Sequence, residues 1–180
     1  MTTTSTASES KVRAMDHEAT NELQSILAAY KARLLESQER EAKIKAARAA
    51  FVDAFRSLKA ERISPVLEEF VAQLNEAGHQ ASVVDQQEAS DRNGQFTPAS
   101  IALRIVPARA NDMAALPSGG SRIEVTFSAN QHTMKVLVSS SNNSNGAMGK
   151  RGDHELSELT TQFVENNVLK TIREAFAIGK

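Results

Sequence analysis

The sequence predicts an α+β protein in which a long N-terminal helix precedes an antiparallel sheet and a final helix. Two observations carry this prediction. The first 64 residues contain neither glycine nor proline, whereas all eight Gly and all four Pro follow them. Apolar residues then change from helical spacing to strict alternation, which indicates strands with one covered face. Because the strands are grouped between helices, the pattern favours α+β over alternating α/β.

The N-terminal region is predicted to be a disordered tail followed by one helix. Residues 1–14 are rich in Ser and Thr and have no apolar stretch. From residue 15 to residue 63 no glycine or proline interrupts the chain, so we expect a helix of roughly 70 Å. The remaining residues would form a domain with a radius of gyration of only about 13 Å. We therefore expect part of this helix to lack a partner within the chain.

Within the long helix, four apolar residues are spaced as in a coiled coil. The residues are Leu23, Leu27, Tyr30 and Leu34, and we call them the seam. Their spacing of four, three and four residues is a heptad pattern. The same register then reaches polar Ser37 and Glu41. We expect the seam to bind a second copy of the chain, as a dimer, or a helix of a partner protein.

After the seam, an apolar cluster over residues 51–63 is predicted to join the helix to an α+β domain over residues 64–180. A short second helix is expected to begin at Ser64 and Pro65, because Ser is a preferred N-cap and Pro suits a first turn. Gly78 would end it. Alternation predicts a four-stranded antiparallel sheet with strands at 81–85, 100–106, 122–128 and 133–139.

The last part of the domain is predicted to be a flexible loop and a final helix. The run SSSNNSNGAMGKRG, which begins at residue 139, is of low complexity and indicates a flexible loop over residues 140–152. Asp153 would then act as the N-cap of a helix that reaches Ala177. The broad apolar side of that helix would pack on one face of the sheet.

Charge distribution suggests an alternative function. Residues 31–62 hold nine Lys or Arg and five acids, although the whole chain has a net charge of −1. A nucleic-acid-associated protein would use such a helix for phosphate contacts. The candidate polyanion-binding residues are Lys43, Lys45, Arg48, Arg56, Lys150 and Arg151. Because acids alternate with these cations and the predicted sheet has few aromatic residues for base stacking, we rank this alternative second.

Enzymatic function ranks third. The chain has no cysteine, which excludes disulfides and thiol chemistry, and its four histidines show no metal-ligand spacing. We assign no catalytic residue, no metal and no cofactor, so a small enzyme would need an unrecognised site. No apolar run is long enough for a membrane span and no secretory signal is visible, which favours a cytoplasmic protein. We therefore expect a non-enzymatic interaction module, such as an adaptor, a chaperone-like protein or a complex subunit.

Overall fold

The computed structural model describes residues 17–90, 92, 95–108, 122–141 and 149–177. The predicted tail over residues 1–14 and positions 142–148 of the predicted loop lie outside the described residues. The chain divides into two compact units, with the boundary between Lys45 and Ala46. Within the described residues, the first unit is therefore the helical segment 17–45, and the second contains the sheet and the remaining helices.

Helical backbone runs without interruption from His17 to Glu76. It consists of α1 (His17–Leu58), a π-helical turn (Lys59–Ile63) and α2 (Ser64–Glu76). The predicted long helix is confirmed, but the predicted N-cap at Ser64 is wrong. Ser64 has helical dihedral angles of −57° and −48°. Its hydroxyl donates a hydrogen bond to Glu68 Oε1 at 2.9 Å instead of capping a backbone N–H.

The π-helical turn explains how the helix passes Pro65. Proline has no N–H, and in a regular α-helix its ring collides with the carbonyl four residues earlier. In the wider turn, the Ser64 N–H reaches the carbonyl of Lys59, five residues earlier. The register shift lets the helix continue past the proline. The helix ends at Glu76, and Gly78, whose φ of +86° suits glycine, reverses the chain towards the sheet.

The main sheet has five antiparallel strands rather than the predicted four. In chain order the strands are β1 (Gln80–Gln86), β2 (Ala89–Ser90), β3 (Phe96–Thr97), β4 (Ser100–Val106), β5 (Ile123–Asn130), β6 (Lys135–Ser141) and β7 (Gly149–His154). The sheet order is β1-β4-β5-β6-β7, and β2 pairs with β3 in a separate small ladder. The four predicted strands correspond to β1, β4, β5 and β6, and β7 is the additional one.

Strand β7 corrects two predictions for the end of the chain. It contains residues that the sequence assigned to the loop 140–152, and it places Asp153 in the sheet, opposite Leu137 of β6. Asp153 is therefore not a helix N-cap. The final helix, α3 (Thr161–Ala177), begins after a short 3₁₀ turn at Leu156–Glu158. Its N-cap is Thr160, whose Oγ1 accepts the Phe163 N–H at 3.1 Å.

One face of the sheet forms the core with the helices. α2 packs against β1 and β4, and α3 packs against β5. The strand residues buried in this core alternate as predicted: Ile101, Leu103, Ile105, Ile123, Val125, Phe127, Ala129, Val136 and Val138. Phe51 and Phe55 at the end of α1 are buried in the same core, and Leu58 is partly buried against it. The apolar cluster at residues 51–63 therefore belongs to the second unit.

Candidate protein-interaction surface

The first unit presents large apolar side chains to solvent. The four seam residues are between 43% and 64% exposed, and Ile26 is 57% exposed. Between residues 17 and 45 no side chain is buried, and Thr20 alone is half-buried. In this segment the leucine side chains are exposed, so the helix lacks the packing of an apolar face that usually stabilises a helix in water.

These apolar side chains share one side of α1. At 3.6 residues per turn, the seam and Ile26 fall within an arc of about 100°. The heptad pattern does not include Ile26, because a strict heptad assigns only two core positions per repeat. The signal was nevertheless present: Ile26 lies three residues after Leu23 and four before Tyr30, so it neighbours both on the helix surface. The structure therefore widens the seam into a stripe of five residues, and we call these five residues the apolar stripe.

Most charged side chains beside the apolar stripe have no ionic partner. Within residues 17–45 the single ion pair joins Arg40 Nη2 to Glu36 Oε1 at 2.6 Å. Lys31, Arg33 and Lys45 are exposed and form no ion pair among the described residues. Their charges are thus available to a partner.

The six candidate polyanion-binding residues differ in their surroundings. Arg56 pairs with Asp53 at 2.9 Å, and Lys150 pairs with Asp153 at 2.6 Å. Arg151 binds the Glu174 carboxylate, and its Nε donates to Ser140 Oγ at 2.6 Å. Half of the predicted set therefore already contacts carboxylates. Lys43 and Lys45 are exposed, whereas Arg48 is half-buried.

The second unit contains an ion pair that sequence analysis did not find. The Lys59 ammonium lies in the π-helical turn with its side chain only 4% exposed, and it contacts the Asp85 carboxylate of β1. The two residues are 26 positions apart in the sequence, so no local signal indicates this pairing. The contact fastens the helical turn to an edge strand of the sheet.

A second ionic cluster lies on the sheet face opposite the core. Glu124 Oε2 accepts hydrogen bonds from Arg104 Nε and Arg122 Nε, both at 3.1 Å. Partial burial raises the pKa of Glu124, but the hydrogen bonds and positive charges of Arg122 and Arg104 outweigh this effect and lower the pKa below its usual value. The carboxylate is thus held in its charged form across two neighbouring strands.

A half-open hollow of about 380 Å³ lies beside the turn between β5 and β6. Phe96, Pro98 and Leu137 form its apolar wall, and polar groups of Ser128 and His132 lie on its lining. His132 is the one titratable side chain of this lining, and general acid–base catalysis needs a substrate proton within its reach. Because this hollow combines an apolar wall with a titratable side chain, it is a place to test the third-ranked enzymatic alternative.

Two further histidines, His79 and His154, make contacts that stabilise the fold. His79 Nδ1 accepts the Ala108 N–H at 3.0 Å, and the ring stacks on Phe176. His154 Nδ1 lies 2.9 Å from Glu158 Oε2. Among the residues that the structure describes, no three His, Cys, Asp or Glu side chains are grouped in a way that could hold a metal ion.

Comparisons with protein-family models, with curated proteins and with solved structures find no match to this chain. The geometry of the described residues is therefore the basis for assigning a function. Among the residues that the structure describes, the apolar stripe contains five of the twelve exposed large apolar side chains. No helix of the described ranges is both long and apolar enough to cross a membrane.

Proposed function

We propose that this chain is a non-enzymatic protein-interaction module that assembles through residues 17–45 of α1. The observation that supports the proposal is the apolar stripe, five large side chains that share one side of a helix and remain open to solvent. Contiguous exposed apolar side chains are a feature of interaction sites on proteins. The module would serve as an adaptor, a chaperone-like protein or a subunit of a cytoplasmic complex.

The stripe fits a coiled-coil partner in both spacing and energy. The seam residues repeat every three or four residues, which is the spacing that places side chains between those of a facing helix. Full burial of one leucine side chain contributes about 1.5–3 kcal/mol. Burial of four or five such side chains is therefore of the same order as the cost of association, which is about 4–15 kcal/mol.

The proposal is tested by removing the stripe without changing the rest of the helix. In one variant Leu27 and Leu34 are replaced by glutamine, and in a matched control Ala28 and Ala32, on the opposite side of α1, receive the same replacement. Oligomeric mass is measured by light scattering after size-exclusion chromatography. In parallel, binding of synthetic heptad peptides with leucine at both core positions is measured by fluorescence anisotropy.

We expect the parent protein and the alanine-site control to self-associate or to bind a heptad peptide. The leucine-site variant should lose at least about tenfold in affinity, equivalent to about 1.4 kcal/mol. A parent protein that remains monomeric and binds none of the peptides would disprove the proposal. Equal behaviour of the two variants would also contradict it, because the stripe would then not be the contact surface.

A further inference from the structure

The charges around the apolar stripe are segregated although the segment is neutral overall. Residues 17–45 contain five cations (Lys31, Arg33, Arg40, Lys43, Lys45) and five acids (Glu18, Glu22, Glu36, Glu39, Glu41). In the heptad register of the seam, Leu23 and Tyr30 occupy d positions, and Leu27 and Leu34 occupy a positions. The flanking e and g positions are the ones that contact the flanks of a facing helix.

All charged residues at these flanking positions from residue 18 onward are cationic. Lys31 and Lys45 occupy e positions, whereas Arg33 and Arg40 occupy g positions. Glu18, Glu22, Glu36 and Glu39 lie at the outer c and f positions, and Glu41 lies in the core register beyond the last leucine. A helix that docks on the stripe therefore meets Lys31 at one edge and Arg33 at the other, and Lys45 and Arg40 continue these two edges beyond Leu34.

This arrangement disfavours pairing between two copies of the chain. In a parallel pair, each g residue faces the e residue five positions later in the other helix, so Arg40 would face Lys45 of the second copy. In an antiparallel pair, e faces e and g faces g, which brings cations to cations or to neutral residues. Neither orientation brings an acid of this segment to a flanking position, and like charges at such positions oppose association.

We propose that the occupant of the apolar stripe is an amphipathic helix of another protein, with Asp or Glu on both sides of its own apolar face. This inference rests on the proposed function, because it names the partner class of the same surface. Exposed and unpaired Lys31, Arg33 and Lys45 supply the complementary charge. Such flanking pairs select a partner and its orientation.

The full-length chain is tested against two synthetic peptides of about four heptads each. Both peptides carry leucine at the core positions. One has glutamate at every e and g position, and the other has lysine there. Affinity is measured by fluorescence anisotropy at about 50 mM and about 500 mM salt, and the oligomeric mass of the chain is measured in the same buffers. The glutamate peptide should bind at least about tenfold more tightly at low salt, and screening should reduce this ratio at high salt.

Charge reversal provides the matched control. Lys31→Glu and Arg33→Glu each change a flanking residue, whereas Lys43→Glu makes the same change of charge at an outer position. Both flanking variants should lower the preference for the glutamate peptide by about threefold or more, and the double variant should favour the lysine peptide. Lys43→Glu should leave the preference close to that of the parent. An equal loss in all three variants would show a general charge effect and would overturn the inference.

The remaining outcomes separate this inference from the proposed function. Equal affinity for both peptides, or preference for the lysine peptide, overturns the acidic partner but leaves an interaction module. Self-association that is abolished by replacing Leu27 and Leu34 with glutamine, without binding of either peptide, identifies a second copy as the occupant and overturns the inference alone. A monomeric chain that binds neither peptide overturns both.

Discussion

Lys59 and Asp85 form an ion pair in which the ammonium is buried and the carboxylate is half exposed. Lys59 lies in the π-helical turn, and Asp85 lies on β1, opposite Ile101 of β4. The pair connects the point where the long helix passes Pro65 to an edge of the sheet. Because a buried cation without a partner is costly whereas a half-exposed carboxylate is solvated by water, the two residues should respond differently to substitution.

Asp85→Ala is expected to lower the free energy of unfolding by about 1–3 kcal/mol, because it leaves the Lys59 ammonium without its partner. Lys59→Met keeps the volume of the side chain, removes the buried charge and returns Asp85 to water. It should therefore cost less than Asp85→Ala. Urea denaturation followed by circular dichroism measures both values. A larger loss in Lys59→Met would contradict this account of the pair.

Phe55→Ala tests the core contribution of α1. Phe55 is fully buried, and truncation of a buried Phe typically costs about 3–5 kcal/mol. This is a large part of the usual stability of about 5–15 kcal/mol, so the melting temperature should fall strongly. Leu35→Ala, an exposed position on the same helix, should change stability by no more than about 0.5 kcal/mol. Equal melting temperatures for parent and Phe55→Ala would place Phe55 outside the core.

The Arg104–Glu124–Arg122 cluster should make stability depend on pH in the acid range. Because the folded-state pKa of Glu124 is lowered, its contribution is fully present above the unfolded value of about 4.5 and is lost as pH falls through the folded value. The difference in unfolding free energy between the parent and Glu124→Gln should therefore be constant from about pH 7 to about pH 5 and shrink below that. A difference that grows on acidification would refute the assigned direction of the pKa shift.

Substitution of Arg151 should lower stability more than substitution of Lys150, because the Arg151 side chain is largely buried whereas that of Lys150 is exposed. Arg151 connects β7 to α3 through Glu174 and contacts Ser140 of β6, and its side chain is only 13% exposed. Arg151→Ala should lower the unfolding free energy by about 1–2 kcal/mol. Lys150→Ala removes an exposed pair and should change it by less than about 0.5 kcal/mol. Equal stability of the two variants would show that Arg151 does not hold β7 against α3.

Polyanion binding is expected to be absent. Half of the predicted cationic set already contacts carboxylates, and Glu36 pairs with Arg40 on the same helix. The parent protein should not be retained on duplex DNA at about 50 mM salt, where phosphate contacts are strongest. Retention that is lost in a variant with Glu at Lys43, Lys45 and Arg48, with its assembly intact, would favour the nucleic-acid alternative.

Local pattern predicted much of the fold because the relevant signals lie close together in the chain. The absence of Gly and Pro predicted α1, and alternation at Ile123, Val125 and Phe127 predicted a strand with one buried face. The seam was predicted from spacing, and the interaction it implies remains a prediction. The hollow beside Phe96 and His132 could not be predicted, since its walls come from segments separated in sequence.

The sequence by itself determined the α+β class, the long helix, four of the five main strands and the apolar side of the sheet, because each depends on short-range periodicity. Tertiary structure alone decided β7 and the continuity of the helix past Pro65. The segment that forms β7 has no apolar alternation and becomes a strand because the edge of β6 offers unpaired backbone groups. Pro65 does not end the helix because buried Ile63, Val66 and Leu67 fix both sides of it in the core, and this burial outweighs the local preference of proline.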